Sequence, residues 1–231
     1  MTMDFQPFDK RGYPTRAVDA GYGEWAPTYE DTVLDLMDLR LFSRVAVDWG
    51  ACARAVDLAC GTGRIGVWLK AQGAKAVDGV DLTPEMLALA KEKQAYDSLR
   101  QGDAGATGLE TGAYDVATMS LADEHIRDLA PVYKEVARIL SPDGRFVLVG
   151  FHPHFLMMGV PTHYNNADGE PTSIESYIHL ASDHVAAAHG AGFRLEEMVE
   201  GVVDDAWVAA KPKWEKHKGH PVSFAFVWGR R

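Results

Sequence analysis

Three aspartates lie at the ends of short strand-like runs: Asp57 in AVDL, Asp81 after VDGV, and Asp103 after LRQG. The first is followed by a turn in which Gly61, Gly63 and Gly66 have the spacing G-x-G-x-x-G. Glycine there lets the backbone approach a ligand, because no Cβ intrudes. In one use of such a turn the following helix N-terminus faces a pyrophosphate, and an acid some twenty residues on binds a ribose hydroxyl. Asp81 has that separation. Asp57, four residues before Gly61, fits badly, because an anion beside the turn repels pyrophosphate and attracts a cation. Three carboxylates at successive strand ends suit a ligand that carries an ammonium, a sulfonium, a ribose diol and an adenine amine. A nicotinamide oxidoreductase is the weaker reading.

Candidate bases follow two later strands. His125 closes the stretch Leu121-Ala-Asp123-Glu124-His125, and His152-Pro-His154 follows RFVLVGF. Histidine titrates near neutral pH and suits proton transfer. Neighbouring parallel strands open on one crevice, so His125, His152 and His154 are the candidate catalytic groups. The alternative for each is a histidine bonded to a loop carbonyl. His152-x-His154 with His163, His179 and His184 raises the question of zinc, but no cysteine joins them and the spacing matches no metal pattern, so no metal is expected.

These residues need positioning elements. Ala55–Leu58, Ala76–Val80, 99–101, 115–120 and 145–151 read as strands, and helices are expected over 66–72, from Thr83-Pro84-Glu85 to Tyr96, and over 129–140. Val33, Met37, Leu41 and Val45 recur every fourth position and predict a helix across 28–47. A helix over 175–189 and strands at 195–199 and 222–228 complete the pattern; residues 1–26 and 201–221 read as irregular. Alternating strands and helices predict an α/β fold, a Rossmann-like parallel sheet with helices on both faces. One domain is expected over residues 1–231: a lid and helix in 1–48, and insertions at 152–173 and 201–221 covering the substrate site.

The chain has 231 residues, 47% hydrophobic and 24% charged, with a net charge of −10. That charge argues against broad docking on nucleic acid or an anionic membrane. No apolar run has the length of a membrane span, and MTMDFQPFDKRG has no signal-peptide core. Two cysteines, Cys52 and Cys60, fit a reducing cytoplasm.

VDLACGTGR resembles the first motif of class I S-adenosylmethionine (SAM)-dependent methyltransferases, in particular the small-molecule group that includes the ubiquinone and menaquinone biosynthesis enzymes. That motif usually has glycine where this chain has Ala59. The stretch Tyr22-Gly-Glu-Trp25-Ala-Pro-Thr-Tyr29-Glu is similar to the lead-in of many of these enzymes. The resemblance spans roughly Tyr22 to Trp228 and implies seven strands, the last antiparallel. It implies that Gly61 and Gly63 lie against the methionine part of SAM and that Asp57 receives its ammonium. Asp81 would hold both ribose hydroxyls, with Leu82 beside the adenine. Asp103 and Ala104 would take the adenine edge, Met86 would close its slot, and Ser120 and Leu121 would line the floor. Tyr22 or Tyr29 would reach the carboxylate. S-adenosylhomocysteine (SAH) would be the product, and a small molecule with an oxygen, nitrogen or carbon nucleophile the acceptor. A protein substrate and a non-methylating use of the fold stay open, as does the oligomeric state.

Overall fold

The computed structural model describes residues 3–32 and 36–231. Seven strands form the central sheet: β1 (Arg54–Leu58), β2 (Ala76–Asp81), β3 (Ser98–Gln101), β4 (Tyr114–Ser120), β5 (Leu140–Phe151), β6 (Phe193–Val202) and β7 (Pro221–Arg230). Their spatial order is β6-β7-β5-β4-β1-β2-β3. β1 to β5 are parallel, and β7 lies between β5 and β6, antiparallel to both. This is the parallel sheet that the alternation of strands and helices predicts, with the seven strands and antiparallel last strand that the resemblance implies.

The inner strands are apolar along most of their length because helices cover both faces. The principal helices are α1 (Val18–Trp25), α2 (Arg64–Ala71), α3 (Pro84–Glu92), α4 (Leu129–Ile139) and α5 (Ala181–Gly190). Val132, Tyr133 and Val136 of α4 pack with Ala188 of α5 on Phe146 and Trp228. Ile65 and Leu69 of α2 pack on the opposite face with Phe42, Trp49, Val147 and Ala225. Strand order reverses at β1, with β4 on one side and β2 on the other. Ligand crevices in such sheets lie at that reversal, beyond the carboxyl ends of the strands.

Several elements differ from expectation. The stripe Met37, Leu41, Val45 is buried as its spacing implies, but the backbone there is a 3-10 segment, Ala26–Asp31, and a single α-turn, Leu39–Phe42. Asp38 starts that turn: its buried carboxylate caps Leu39 N–H at 2.7 Å and takes the Arg64 guanidinium. Val33 lies outside the described residues. Residues 18–25, read as irregular, are α1. α3 stops at Glu92, and Gln94 at φ +54° turns the chain so that Tyr96 returns beneath the glycine turn. The helix expected from 175 begins at Ala181, after a strand at Tyr177–Ile178.

Two small sheets tie the N-terminal segment down. Met3–Asp4 pairs with Tyr177–Ile178, and Thr15–Arg16 pairs with Ser173–Ile174, part of the strand Pro171–Ile174. α1 packs on that strand and on α3, and so roofs the end of the sheet. Residues 205–210 and 212–217, expected to be irregular, are helical. Trp207 is their anchor, buried with Phe155, Val203 and Val222.

Candidate active site

The glycine turn, the ends of β2 and β4, and α1 enclose a cavity of about 300 Å³. Of the residues singled out from the sequence, Tyr22, Tyr29, Ala59, Gly61, Asp81 and Leu82 line it, as do Met86, Asp103, Ala104, Ser120, Leu121 and His125. Asp57, Gly63, His152 and His154 are not in its lining.

Each wall has a local cause. Ala59 at φ +52° and Leu121 at φ +50° hold left-handed backbone at the ends of β1 and β4. A non-glycine residue there costs about 1 kcal/mol, and such strain concentrates at functional sites. The glycine usual at position 59 in the methyltransferase motif would adopt that φ freely. Asp81, nearly buried, accepts Gly61 N–H at 2.7 Å and Thr83 N–H at 2.8 Å, one on each oxygen. Each oxygen keeps a lone pair for a ligand hydroxyl. Burial pushes this carboxyl above its ordinary pKa, and the two N–H groups pull it back. Asp103 accepts Gly105 N–H through Oδ1 at 2.6 Å, which leaves Oδ2 for a ligand donor.

Asp57 lies under the turn, 1% exposed. Its oxygens take Tyr96 Oη at 2.7 Å and Thr118 Oγ1 at 2.9 Å. Burial raises its pKa to about 7. Its place is that of a strut: Tyr96, held by Asp57, accepts Gly66 N–H at 3.2 Å. Gly63 starts α2 at φ +85°, with Ala90 and Tyr96 too close behind it for a Cβ.

The charged group that the sequence reading missed is Asp38 with Arg64. Arg64 Nη1 donates to Asp38 Oδ2 at 2.9 Å and Nη2 to Oδ1 at 3.0 Å. Ser120 Oγ donates to the same carboxylate at 3.1 Å. The pair borders a recess of about 30 Å³ that shares Tyr29, Gly61 and Leu121 with the main cavity. An acid inside an apolar stripe and an arginine directly after the glycine turn were the available signals.

His125 is buried against the roof. Its Nε2 meets Tyr22 Oη at 2.9 Å and its Nδ1 meets the Glu175 carbonyl at 2.6 Å. Because a carbonyl only accepts, Nδ1 carries the hydrogen and Nε2 accepts from the phenol. Burial lowers the imidazole pKa to about 4. His152 and His154 are turned toward the other side of β5. His152 caps the helix Pro153–Met157 and meets Glu200 at 3.0 Å; His154 meets His220 at 3.0 Å. β7 lies on that side of β5 and β4 on the opposite side, so the chain leaving β5 faces away from His125. The stretches 152–173 and 201–221 do not line the cavity; the first backs the roof through the strand Pro171–Ile174, and the second packs beside the start of β7.

The reversal point, the glycine turn, Asp81 and Asp103 meet at one cavity of an α/β sheet. Residues 56–148 match a methyltransferase domain family. A crystal structure of a SAM-dependent methyltransferase from Mesorhizobium loti superposes with a TM-score of 0.69 at 25% identity, covering 87% of this chain and 99% of that one. A demethylmenaquinone methyltransferase of Thermus thermophilus is 36% identical over 144 residues, 57% of this chain and 64% of its own length. A malonyl-[acyl-carrier protein] O-methyltransferase of Enterobacter lignolyticus is 30% identical over 148 residues, 60% of this chain and 53% of its own. The chain thus spans less than two thirds of these curated relatives.

Proposed function

We propose that this protein transfers a methyl group from SAM to a small-molecule acceptor. The observation that carries the reading is the convergence of Asp81 and Asp103 with the glycine turn on one cavity. Asp81 would hold the ribose diol, and Asp103 and Ala104 the adenine edge between Leu82 and Met86. The amino-acid head of SAM would meet Gly61 and the Asp38–Arg64 pair, whose opposite charges suit a zwitterion; Asp57, already bonded through both oxygens, supports the turn instead. SAM when bound supplies an activated methyl group with a neutral sulfide as leaving group.

The residues of this chain then have three tasks. Tyr22 of α1 and Tyr29 of the 3-10 segment after it exclude water from the cavity. The strand ends fix the direction of approach; holding reactants in line can contribute several kcal/mol, up to about 10 in favourable cases. Tyr22 and His125 face the place where an acceptor hydroxyl, amine or activated carbon would lose its proton, which is worth on the order of 10²–10⁴ in rate. The name of the 36% identical relative makes a demethylmenaquinone-type ring in its reduced form the first acceptor to try. The two cysteines are free and buried, in keeping with a reducing compartment. No helix among the described residues is long and apolar enough to cross a membrane.

Isothermal calorimetry with SAM and SAH tests the cofactor. Micromolar binding of both is expected, and no binding of either overturns the reading. Transfer of tritiated methyl into the low-molecular-weight fraction of a cell extract tests the acceptor class; label in the protein fraction alone overturns that part.

A further inference from the structure

The Tyr22 ring is held by three others. It stacks on Trp25 with centroids 5.7 Å apart, lies 6.1 Å from Tyr29, and meets His125 edge to face at 5.3 Å. Its oxygen is thereby fixed at the wall of the cavity, 2.9 Å from His125 Nε2. The imidazole is fixed in turn, because Nδ1–H donates to the Glu175 carbonyl at 2.6 Å. Glu124 Oε1 stands farther off, 3.4 Å from Nε2.

The direction of the Tyr22–His125 bond decides what each group can do. With its hydrogen on Nδ1, the neutral imidazole has one lone pair, on Nε2, and the phenol occupies it. A proton arriving from the cavity therefore reaches Nε2 by way of Tyr22 Oη. The phenolic hydrogen is committed to His125, so the oxygen turns only lone pairs toward a ligand. It suits an O–H or N–H and repels a carboxylate. That separates two roles that the sequence left open for Tyr22, holding the SAM carboxylate and serving the acceptor.

We propose that Tyr22 is a catalytic residue that takes the acceptor's O–H or N–H on its phenolic oxygen and relays the proton to His125. The inference rests on the methyl-transfer reading. The acceptor's hydrogen moves to Tyr22 Oη as the phenolic hydrogen moves to Nε2. The electron pair left on the acceptor, at that heteroatom or at a carbon conjugated with it, forms the bond to the methyl carbon. Sulfur keeps the pair of the bond that breaks. The phenol is neutral before and after, and the imidazolium carries the charge with Nδ1–H still on the Glu175 carbonyl. The surroundings of Tyr22 favour such an exchange over a standing phenolate: burial, with the charges of Tyr29, Glu124 and Asp81, pushes the phenol well above its ordinary pKa. The acceptor class narrows accordingly to molecules with a hydroxyl or amine hydrogen at or conjugated with the methylated atom.

The test uses the full chain. Nitrogen-15 NMR of the SAH-loaded protein at neutral pH should show His125 with hydrogen on Nδ1 and a hydrogen-bonded, unprotonated Nε2. A hydrogen on Nε2 overturns the proposal. By calorimetry, Tyr22→Phe should bind SAH within about threefold of wild type. Loss of a hydrogen bond to a charged carboxylate would instead cost about tenfold or more, and that result would make Tyr22 a cofactor ligand and overturn the relay. Transfer of tritiated methyl from saturating SAM into the low-molecular-weight fraction of a cell extract should fall on the order of 10²–10⁴ in Tyr22→Phe. Two groups that act as one unit are not additive, so Tyr22→Phe with His125→Asn should lose no more than about threefold beyond the larger single loss. Losses that multiply, or a Tyr22→Phe rate within about threefold of wild type, overturn the proposal. A wild type that neither binds SAH nor labels that fraction refutes the methyl-transfer reading itself.

Discussion

Tyr96 donates its phenolic hydrogen to Asp57 Oδ2 at 2.7 Å, beneath the backbone of the glycine turn. The contact joins the end of β1 to a residue 39 positions later, and it makes a carboxyl part of the hydrophobic floor. Burial outweighs the hydrogen bonds from Tyr96 and Thr118 and raises the Asp57 pKa to about 7.

A pH dependence of stability follows. The folded chain binds the Asp57 proton more tightly than the unfolded chain, whose carboxyl has a pKa near 3.9. Between about pH 4 and 7 the native state therefore holds more protons, and this residue's contribution to stability falls as pH rises. Asp57→Asn removes that slope. Thermal melts should show the variant gaining on wild type between pH 5 and pH 8. A difference that does not change with pH would show that the carboxyl is ionised throughout.

Gly66→Ala probes the same strut from the other side. A Cβ at Gly66 would lie 2.5 Å from Tyr96 Oη, in a spot where the ring is fixed by Asp57. Overpacking of this kind costs about 1–3 kcal/mol, roughly 2–12 °C in melting temperature for a chain of this size. Differential scanning calorimetry checks it, and Gly66→Ala with Tyr96→Phe should recover part of the loss.

Asp81→Asn separates ligand binding from turn support. The amide can keep one of the two backbone N–H contacts through its oxygen, but it no longer accepts two ribose hydroxyls as a charged group. Hydrogen bonds to charged groups are worth about 1.5–3 kcal/mol each. SAH affinity should fall at least on the order of 100-fold by calorimetry, with less than about 2 kcal/mol lost in unfolding experiments.

His125→Asn addresses the proton. Methyl transfer to the acceptor fraction should drop on the order of 10²–10⁴, while SAH affinity stays within about threefold. An equal loss in both would make His125 a prop for Tyr22 rather than a base.

Much of this arrangement was legible in the sequence. Asp81 and Asp103 sit at strand ends because apolar runs and turn residues mark those ends, and Ala59 through Gly63 is a local signal. The residues that were misplaced depend on distant parts of the chain. Asp57 was assigned to a ligand because nothing near it in sequence announces Tyr96. His152 and His154 are equivalent to His125 in sequence pattern, and only the antiparallel β7 beside β5 separates them in space. Asp38 falls inside the apolar stripe of 28–47, and its charged partner Arg64 lies 26 positions on, out of reach of any local pattern.

The roof of the cavity also has a history in time. Thr15 meets Ser173 across 158 positions, and Met3–Asp4 reaches still further, to Tyr177–Ile178. At typical synthesis speeds of about 5–20 residues per second, the first strands made would wait on the order of 10–30 s for their partners to leave the ribosome. Until then α1 can meet α3 but lacks the strand Pro171–Ile174 that it also packs on. The roof of the site is therefore completed only once residues 171–178 have emerged, although the segment that forms it precedes them by more than 150 positions.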